Sequence, residues 1–202
     1  FATFANGGTR AIPYSITRVE SRSGEVLETV EPTTVEAISP QVAYLMTSLL
    51  TGVINEGTGR RARELGRPLA GKTGTTNESQ DAWFVGYSPD IVVTTWVGYD
   101  KDRALNSRET GAKAALPIWM DFMRVALDGT PIEPFKVPEK IVFRKIDAET
   151  GLLPGTGTKQ TRVEAFMEGT EPAERTGWRG SSWRPTDGIA PTGTRMLFGD
   201  PE

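Results

Sequence analysis

The chain has 202 residues, of which 37% are hydrophobic, so it can bury the core of one domain with a small appendage. Its 23 basic and 26 acidic residues leave a net charge of −3, which gives no overall field that attracts nucleic acid or anionic lipid. It contains neither cysteine nor histidine, which excludes disulfides, thiol chemistry, a Ser-His-Asp triad and a zinc site of the usual kind.

The start of the chain indicates a piece of a longer protein. Residues 1–8 have no initiator methionine and no basic-then-apolar signal pattern. The longest apolar run, residues 91–99, is too short to span a bilayer. We therefore expect a C-terminal fragment whose membrane anchor, if there is one, lies upstream.

The first predicted elements are a β-hairpin and a helix. Apolar residues alternate with polar ones over 12–16, and a turn at Ser23-Gly24 leads into a second strand over 25–30. Ser39-Pro40 then provides an N-cap and a first helical position. The apolar residues of 42–54 recur on one face, which predicts an amphipathic helix.

The middle of the chain predicts a sheet. Residues 70–77, 81–88 and 91–99 form three strand-like runs with short connections, which favour antiparallel neighbours. A second helical stripe covers 115–126, where Pro117 marks either the first turn or a kink. The predicted fold class is α+β, with an antiparallel sheet flanked by helices.

Composition predicts three parts along the chain. Residues 1–130 hold the helices and the sheet, and 131–172 form a proline-punctuated extension with one strand over 141–146. Residues 173–202 form a Gly/Pro-rich tail, whose two tryptophans suggest that it docks on something.

The most informative segment is a lysine and three threonines spaced by glycines. A Lys-Thr-Gly element is one of three parts of a serine acyl-transfer site, beside Ser-x-x-Lys and Ser-x-Asn, and no serine of this chain fits either of the other two. On a strand, alternation places the Thr73 and Thr75 hydroxyls on one side and Lys72 on the other. The candidate site residues are Lys72, Thr73, Gly74, Thr75, Thr76 and Asn77.

A phosphate-binding loop is the rival interpretation of the same residues. Residues 66–73 match G-x-x-x-x-G-K-[ST], which would make a nucleotide-binding module. Such a loop follows a buried strand and opens a helix. Here residues 60–65 are charged, and Thr73 to Thr76 are β-branched or glycine, so the context favours a strand.

The chain resembles the C-terminal half of the transpeptidase domain of class A penicillin-binding proteins, the bifunctional peptidoglycan synthases. The resemblance runs in order through residues 1–172, and residues 173–202 match nothing in that family. It rests on the Gly57-Thr58-Gly59 box, the motif strand with its two following strands, the Ala115-Leu116-Pro117-Ile118-Trp119 helix start and the Glu168-Gly169-Thr170-Glu171-Pro172 ending. It implies the serine transpeptidase/β-lactamase-like fold.

The resemblance also implies an activity. A serine outside this chain would attack the D-Ala-D-Ala bond of a peptidoglycan stem peptide, and the acyl group would pass to an amine on a neighbouring strand. β-Lactam antibiotics would acylate the same serine. Lys72 would supply charge and orient a proton, and the Thr73 and Thr75 hydroxyls would hold a carboxylate. The Thr75 backbone N–H would form one arm of the oxyanion hole, and Gly74, Thr76 and Asn77 would line the groove.

The implied site is incomplete in this chain, so we expect a companion N-terminal part of the same protein to carry Ser-x-x-Lys and Ser-x-Asn. The family implies an upstream glycosyltransferase and a membrane anchor, with action at the periplasmic face of the bacterial inner membrane. We expect no cofactor and no nucleic-acid partner. A non-catalytic penicillin-binding sensor or structural domain is the third interpretation.

Overall fold

A computed structural model describes residues 1–76, 79–101, 103–106 and 109–177 of the chain. The prediction that the tryptophans of the tail dock on something falls outside these residues, as does Asn77. The described residues divide into two compact units: those of Phe1–Arg144 with Glu164–Glu171, and Lys145–Val163 with 172–177.

The first unit begins with a short helix and four short strands. These are α1 (Ala2–Ala5), β1 (Thr9–Ala11), β2 (Arg18–Glu20), β3 (Val26–Thr29) and β4 (Thr34–Glu36). β2 and β3 form the predicted antiparallel hairpin, and β1 pairs antiparallel with β4. The first strand of the hairpin starts later than the predicted 12–16, where Pro13 has no N–H for a ladder.

The first long helix follows the prediction closely. α2 (Pro40–Asn55) begins after Ser39, whose hydroxyl accepts the N–H of Val42 at 3.3 Å. Its buried residues are Ala43, Thr47, Leu50 and Ile54, spaced by three or four as one helical face requires. A 3-10 helix, Arg60–Leu65, then leads to the sheet.

The three-stranded sheet is the centre of this unit. It contains β5 (Ala70–Thr75), β6 (Ala82–Tyr87) and β7 (Val92–Val97), which pair antiparallel in the order β5-β6-β7, as predicted. β5 starts at the predicted residue, and every other strand end lies one or two residues inside the predicted run. β5 therefore lies at an edge of this sheet. In the register, Thr73 is opposite Phe84 and Gly74 is opposite Trp83.

A π-helical turn, Gly111–Ala115, leads into α3 (Leu116–Ala126), which packs on one face of the sheet. Pro117 lies in the first turn of α3, so the first of its two predicted positions is correct. Trp119 is fully buried, and its ring lies 5.0 Å from that of Phe84 in an edge-to-face arrangement. Its indole N–H donates to the carbonyl of Val93 at 3.1 Å, which fixes α3 across the strands.

Two groups of buried side chains form the core of this unit. The larger group joins the end of α2, the sheet and α3, and contains Ile54, Ala62, Leu69, Phe84, Ala115, Leu116, Trp119, Met120, Met123 and Leu127. The smaller group contains Leu50, Ala70 and Tyr87. Burial raises the pKa of the Tyr87 phenol, whose hydroxyl lies 2.9 Å from that of Thr47.

A two-stranded sheet follows. β8 (Ile141–Asp147) contains the predicted strand, and β9 (Thr161–Met167) was not predicted.

In the second unit, the buried Asp147 carboxylate accepts hydrogen bonds from the backbone N–H groups of Glu149 at 2.9 Å and Thr150 at 3.0 Å. Hydrogen bonds from Thr158 and from these two amides lower the pKa of Asp147 to about 2. Asp147 therefore stabilises the turn that follows β8.

Within the described part of the chain, no helix has the length and apolar character that crossing a membrane requires.

Candidate functional site

The outer edge of β5 is the first feature of the candidate site. The N–H of Thr76 donates to the carbonyl of Asp81 at 3.1 Å, so at this position the backbone points towards β6. Because the backbone groups of successive strand residues alternate in direction, the N–H of Thr75 points to the opposite side. No strand among the described residues pairs with that edge.

The side chains of β5 alternate between the two faces of the sheet. Thr73 lies opposite Phe84, on the face that α3 covers, and Thr75 shares this face. Lys72 lies on the other face, is exposed, and donates from Nζ to the carbonyl oxygen of Thr73 at 2.8 Å. A ligand along the edge of β5 is thus within reach of a cation from one face and of two hydroxyls from the other.

The hydroxyl of Thr73 is paired with a hydroxyl from the loop after α2. Thr58 Oγ1 lies 2.8 Å from Thr73 Oγ1. The loop comes this close because two glycines flank Thr58: a Cβ on Gly57 would lie 2.9 Å from backbone atoms of Val53, and one on Gly59 would lie 2.9 Å from the Ile54 side chain. The Gly-Thr-Gly sequence therefore positions a hydroxyl against the motif strand.

The hydroxyl of Thr75 is contacted from the turn before α3. Gly111 donates its N–H to Thr75 Oγ1 at 3.1 Å. Gly111 is buried, and a Cβ there would lie 2.3 Å from the carbonyl oxygen of Trp83 and 2.5 Å from that of Gly74. Only glycine lets this turn approach the backbone of β5 and β6 so closely.

Thr76 is held by Asp81, the residue just before β6. Its hydroxyl accepts the N–H of Asp81 at 2.8 Å and donates to the Asp81 carboxylate at 3.3 Å. The other carboxylate oxygen accepts the indole N–H of Trp96 at 2.8 Å. Asp81 thereby links Thr76, just after β5, to Trp96 of β7, and the Thr76 hydroxyl is already engaged.

The phosphate-loop interpretation is not supported by this geometry. Gly71, Lys72 and Thr73 lie inside the extended strand β5, where successive N–H groups point in opposite directions, whereas a phosphate loop curves so that successive N–H groups converge on one anion. The segment before it, Arg60–Leu65, is a 3-10 helix and not a buried strand.

Three residues of this region received no role from the sequence. Thr58 was recognised only as part of a Gly-Thr-Gly box, and Gly111 and Asp81 were not singled out. A signal existed for Thr58, because two glycines around a threonine suggest a close backbone approach. The contacts of Gly111 join positions 36 residues apart, and no local pattern encodes them.

Other features of the described residues lie apart from this site. A groove of about 470 Å³ is lined by Phe4, Tyr44 and Phe135 among others, and none of Lys72 to Thr76 lines it. Burial raises the pKa of the Tyr44 phenol in this groove. Across the described ranges, no group of three or more acidic residues is arranged to hold a metal ion.

Comparison with known proteins decides the family. Residues 1–124 match the family described as the penicillin binding protein transpeptidase domain. The chain belongs to this family. Residues 137–175 match a second family of these penicillin-binding proteins, described as the penicillin-binding protein 1A, C-terminal domain.

Individual penicillin-binding proteins support the same conclusion. Penicillin-binding protein 1A of Pseudomonas aeruginosa is 38% identical over 86% of this chain and 27% of its own length. That of Aquifex aeolicus is 40% identical over 85% of this chain and 24% of its own length. The chain thus spans about a quarter of the curated relatives that it matches.

Solved structures of penicillin-binding proteins share the fold. Penicillin-binding protein 1A from Haemophilus influenzae superposes with a TM-score of 0.77, at 33% identity, over 86% of this chain and 32% of that chain. An imipenem acyl-enzyme of penicillin-binding protein A from Mycobacterium tuberculosis gives a TM-score of 0.51, at 30% identity, over 63% of this chain and 29% of that one. The α+β transpeptidase fold predicted from the sequence is confirmed.

Proposed function

We propose that this chain is the substrate-binding part of a peptidoglycan D,D-transpeptidase that cross-links stem peptides by serine acyl transfer at D-Ala-D-Ala. The observation that carries the proposal is a Lys-Thr-Gly strand at the edge of a sheet, in a chain of the penicillin-binding transpeptidase family. An edge strand can pair with an extended peptide through its free backbone groups. A stem peptide lying along β5 would bring its terminal carboxylate to the two threonines.

Each group of the motif has a chemical task in this proposal. Lys72 supplies positive charge and orients the proton that moves during acylation. The hydroxyls of Thr73 and Thr75 bind the carboxylate of the peptide or of a β-lactam. The outward N–H of Thr75 stabilises the oxyanion that develops at the attacked carbonyl. Gly74 lets the ligand approach the backbone.

Thr76 and Asn77 complete the proposed groove at the end of the strand. The nucleophilic serine, its lysine and the Ser-x-Asn element belong to a companion N-terminal part of the same protein, which we place upstream together with a glycosyltransferase and a membrane anchor. The enzyme would act at the periplasmic face of the bacterial inner membrane, with residues 1–130 as the transpeptidase portion, 131–172 as an extension and 173–202 as a tail.

The test is acylation of the full-length protein by a fluorescent penicillin. We expect one adduct, which peptide mass spectrometry locates upstream of residue 1, and no adduct on this chain. Lys72→Ala should slow labelling by about 100-fold or more, because the charge that assists proton transfer is lost. Lys136→Ala, which removes an exposed lysine outside the motif, is the matched control and should label like the unmodified protein.

Two results would contradict the proposal. Labelling that survives Lys72→Ala unchanged would remove Lys72 from the site. A full-length protein that takes no label would favour the interpretation as a non-catalytic module.

A further inference from the structure

We propose that Thr58 and Gly111 are positioning residues for carboxylate recognition. Thr58 can donate a hydrogen bond to the hydroxyl oxygen of Thr73, and Gly111 donates one to that of Thr75. Both motif-strand hydroxyl protons are then left for a ligand's carboxylate. This inference rests on the proposed function and adds to it two residues from outside the motif. One comes from the loop after α2 and the other from the turn before α3.

A threonine hydroxyl has one proton to donate and two lone pairs that accept. A carboxylate only accepts, so a threonine that binds it must spend its single proton on it. Any other hydrogen bond of that threonine must then be one that it accepts.

Thr75 meets this condition through Gly111. The Gly111 N–H can only donate, and it lies 3.1 Å from Thr75 Oγ1. It therefore holds the hydroxyl oxygen without using the hydroxyl proton. Thr75 is exposed, and among the described residues no acceptor for its proton is seen.

Thr73 meets it through Thr58. The two hydroxyl oxygens are 2.8 Å apart, and either one can donate. Once Thr73 donates to a carboxylate, only Thr58 can supply the proton between the two oxygens. Binding therefore sets the direction of a short chain, Thr58 to Thr73 to carboxylate, and hydrogen bonds in such chains strengthen one another.

The close approach of both partners is built into the backbone. Thr58 stands between Gly57 and Gly59, and Gly111 has no space for a Cβ against the carbonyl oxygens of Gly74 and Trp83. Three separate segments of the first unit thus meet at two hydroxyls: β5, the loop after α2 and the turn before α3. If these segments served only to complete the fold, they would need to pack against β5 but would not need to place hydrogen-bond donors at its hydroxyls.

The experiment compares two probes on the full-length protein: benzylpenicillin, which has the carboxylate, and its methyl ester, which does not carry a free one. In Thr58→Val, the acylation rate constant for the acid should fall about 3- to 10-fold, as expected for one lost hydrogen bond. The rate constant for the ester should change less than about twofold, and Thr58→Ser should restore the acid rate. Thr51→Val, on α2, is the control and should change neither rate.

Double variants separate positioning from general damage to the fold. Adding Thr58→Val to Thr73→Val should cause no further loss for the acid, because the hydroxyl on which Thr58 acts is already gone. Gly111→Ala should lower the ratio of acid to ester rates in the unmodified background but not in Thr75→Val. This ratio does not depend on the fraction of folded protein. Gly52→Ala, where a Cβ meets nothing within 4 Å, is the matched glycine control.

The outcomes distinguish this inference from the function on which it rests. Equal losses for acid and ester, failure of Thr58→Ser to restore the rate, or independent losses in the double variants would each overturn the positioning role and leave the transpeptidase proposal standing. If neither probe acylates the unmodified protein, both proposals fall.

Discussion

Replacing Trp119 with phenylalanine should destabilise the packing of α3 on the sheet, and replacing Gly86 with alanine should partly reverse that loss. The indole of Trp119 is fully buried, and its N–H satisfies the carbonyl of Val93. A Cβ on Gly86 would lie 2.7 Å from Trp119 Cζ2, 2.8 Å from Phe84 Cε1 and 2.9 Å from Trp119 Cε2. The nearest of these atoms, Cζ2, belongs to the part of the indole that extends beyond a phenyl ring.

The magnitudes follow from these contacts. Trp119→Phe leaves a carbonyl without its donor and opens space in the core, which together cost about 2–4 kcal/mol of unfolding free energy. Gly86→Ala alone overpacks the same place and costs about 1–3 kcal/mol. In the double variant the new methyl group enters the vacated space. The pair should therefore be less destabilised than the sum of the single changes, by about 1–3 kcal/mol.

The assay is pulsed hydrogen–deuterium exchange of the full-length protein at increasing urea, followed in peptides from residues 82–97. These peptides report the unfolding of this sheet and not of other parts of the protein. Gly52→Ala serves as the control, because it adds a methyl group to α2 where nothing lies within 4 Å. Additive losses in the double variant, or a Gly86→Ala change below about 0.5 kcal/mol, would refute the packing argument.

Three further predictions concern stability. The pKa of Asp147 is lowered from 3.8 to about 2, so its carboxylate stabilises the fold above about pH 4, and this contribution is lost as the pH falls towards 2. Asp147→Asn should remove that part of the pH dependence of stability, measured by hydrogen–deuterium exchange in residues 145–163. An unchanged pH profile in the variant would contradict this prediction. Tyr87→Phe should lower the free energy of unfolding, measured by urea denaturation, by only about 0.5–1.5 kcal/mol, because Thr47 keeps its hydrogen bond to the carbonyl of Ala43. A loss above about 3 kcal/mol would show that the Tyr87 hydroxyl belongs to a larger hydrogen-bond network. Ser39→Ala should cost about 1 kcal/mol through the lost helix cap, and Ser39→Asp should recover most of it; equal stability of all three forms would show that the cap contributes nothing.

Much of the first unit was predictable because its signals are local. α2 has a cap, a proline at its first position and a one-faced stripe, and each of these lies within a few residues of the others. The meander of β5, β6 and β7 has short connections, which leave antiparallel pairing as the natural arrangement. Alternation along β5 likewise predicted that Thr73 and Thr75 share a face.

The remainder depends on partners that are distant in sequence. β1 pairs with β4, and each has three residues, too few for a periodic pattern to stand out. The Thr58–Thr73 contact joins residues 15 apart, so a motif search finds the strand but not the hydroxyl beside it. The roles of Lys72 and the threonines in catalysis stay predictions until the acylation experiments are made.

The hydrogen bond from Gly111 to Thr75 also concerns the order in which the protein is synthesised. Its two ends are 36 residues apart, and the whole of β6 and β7 lies between them in the chain. A nascent chain that has just released the Lys-Thr-Gly segment from the ribosome therefore holds its threonine without the donor that orients it. Only after the turn before α3 has emerged can Gly111 donate to that threonine, so completion of the proposed carboxylate site waits for synthesis of β6, β7 and this turn.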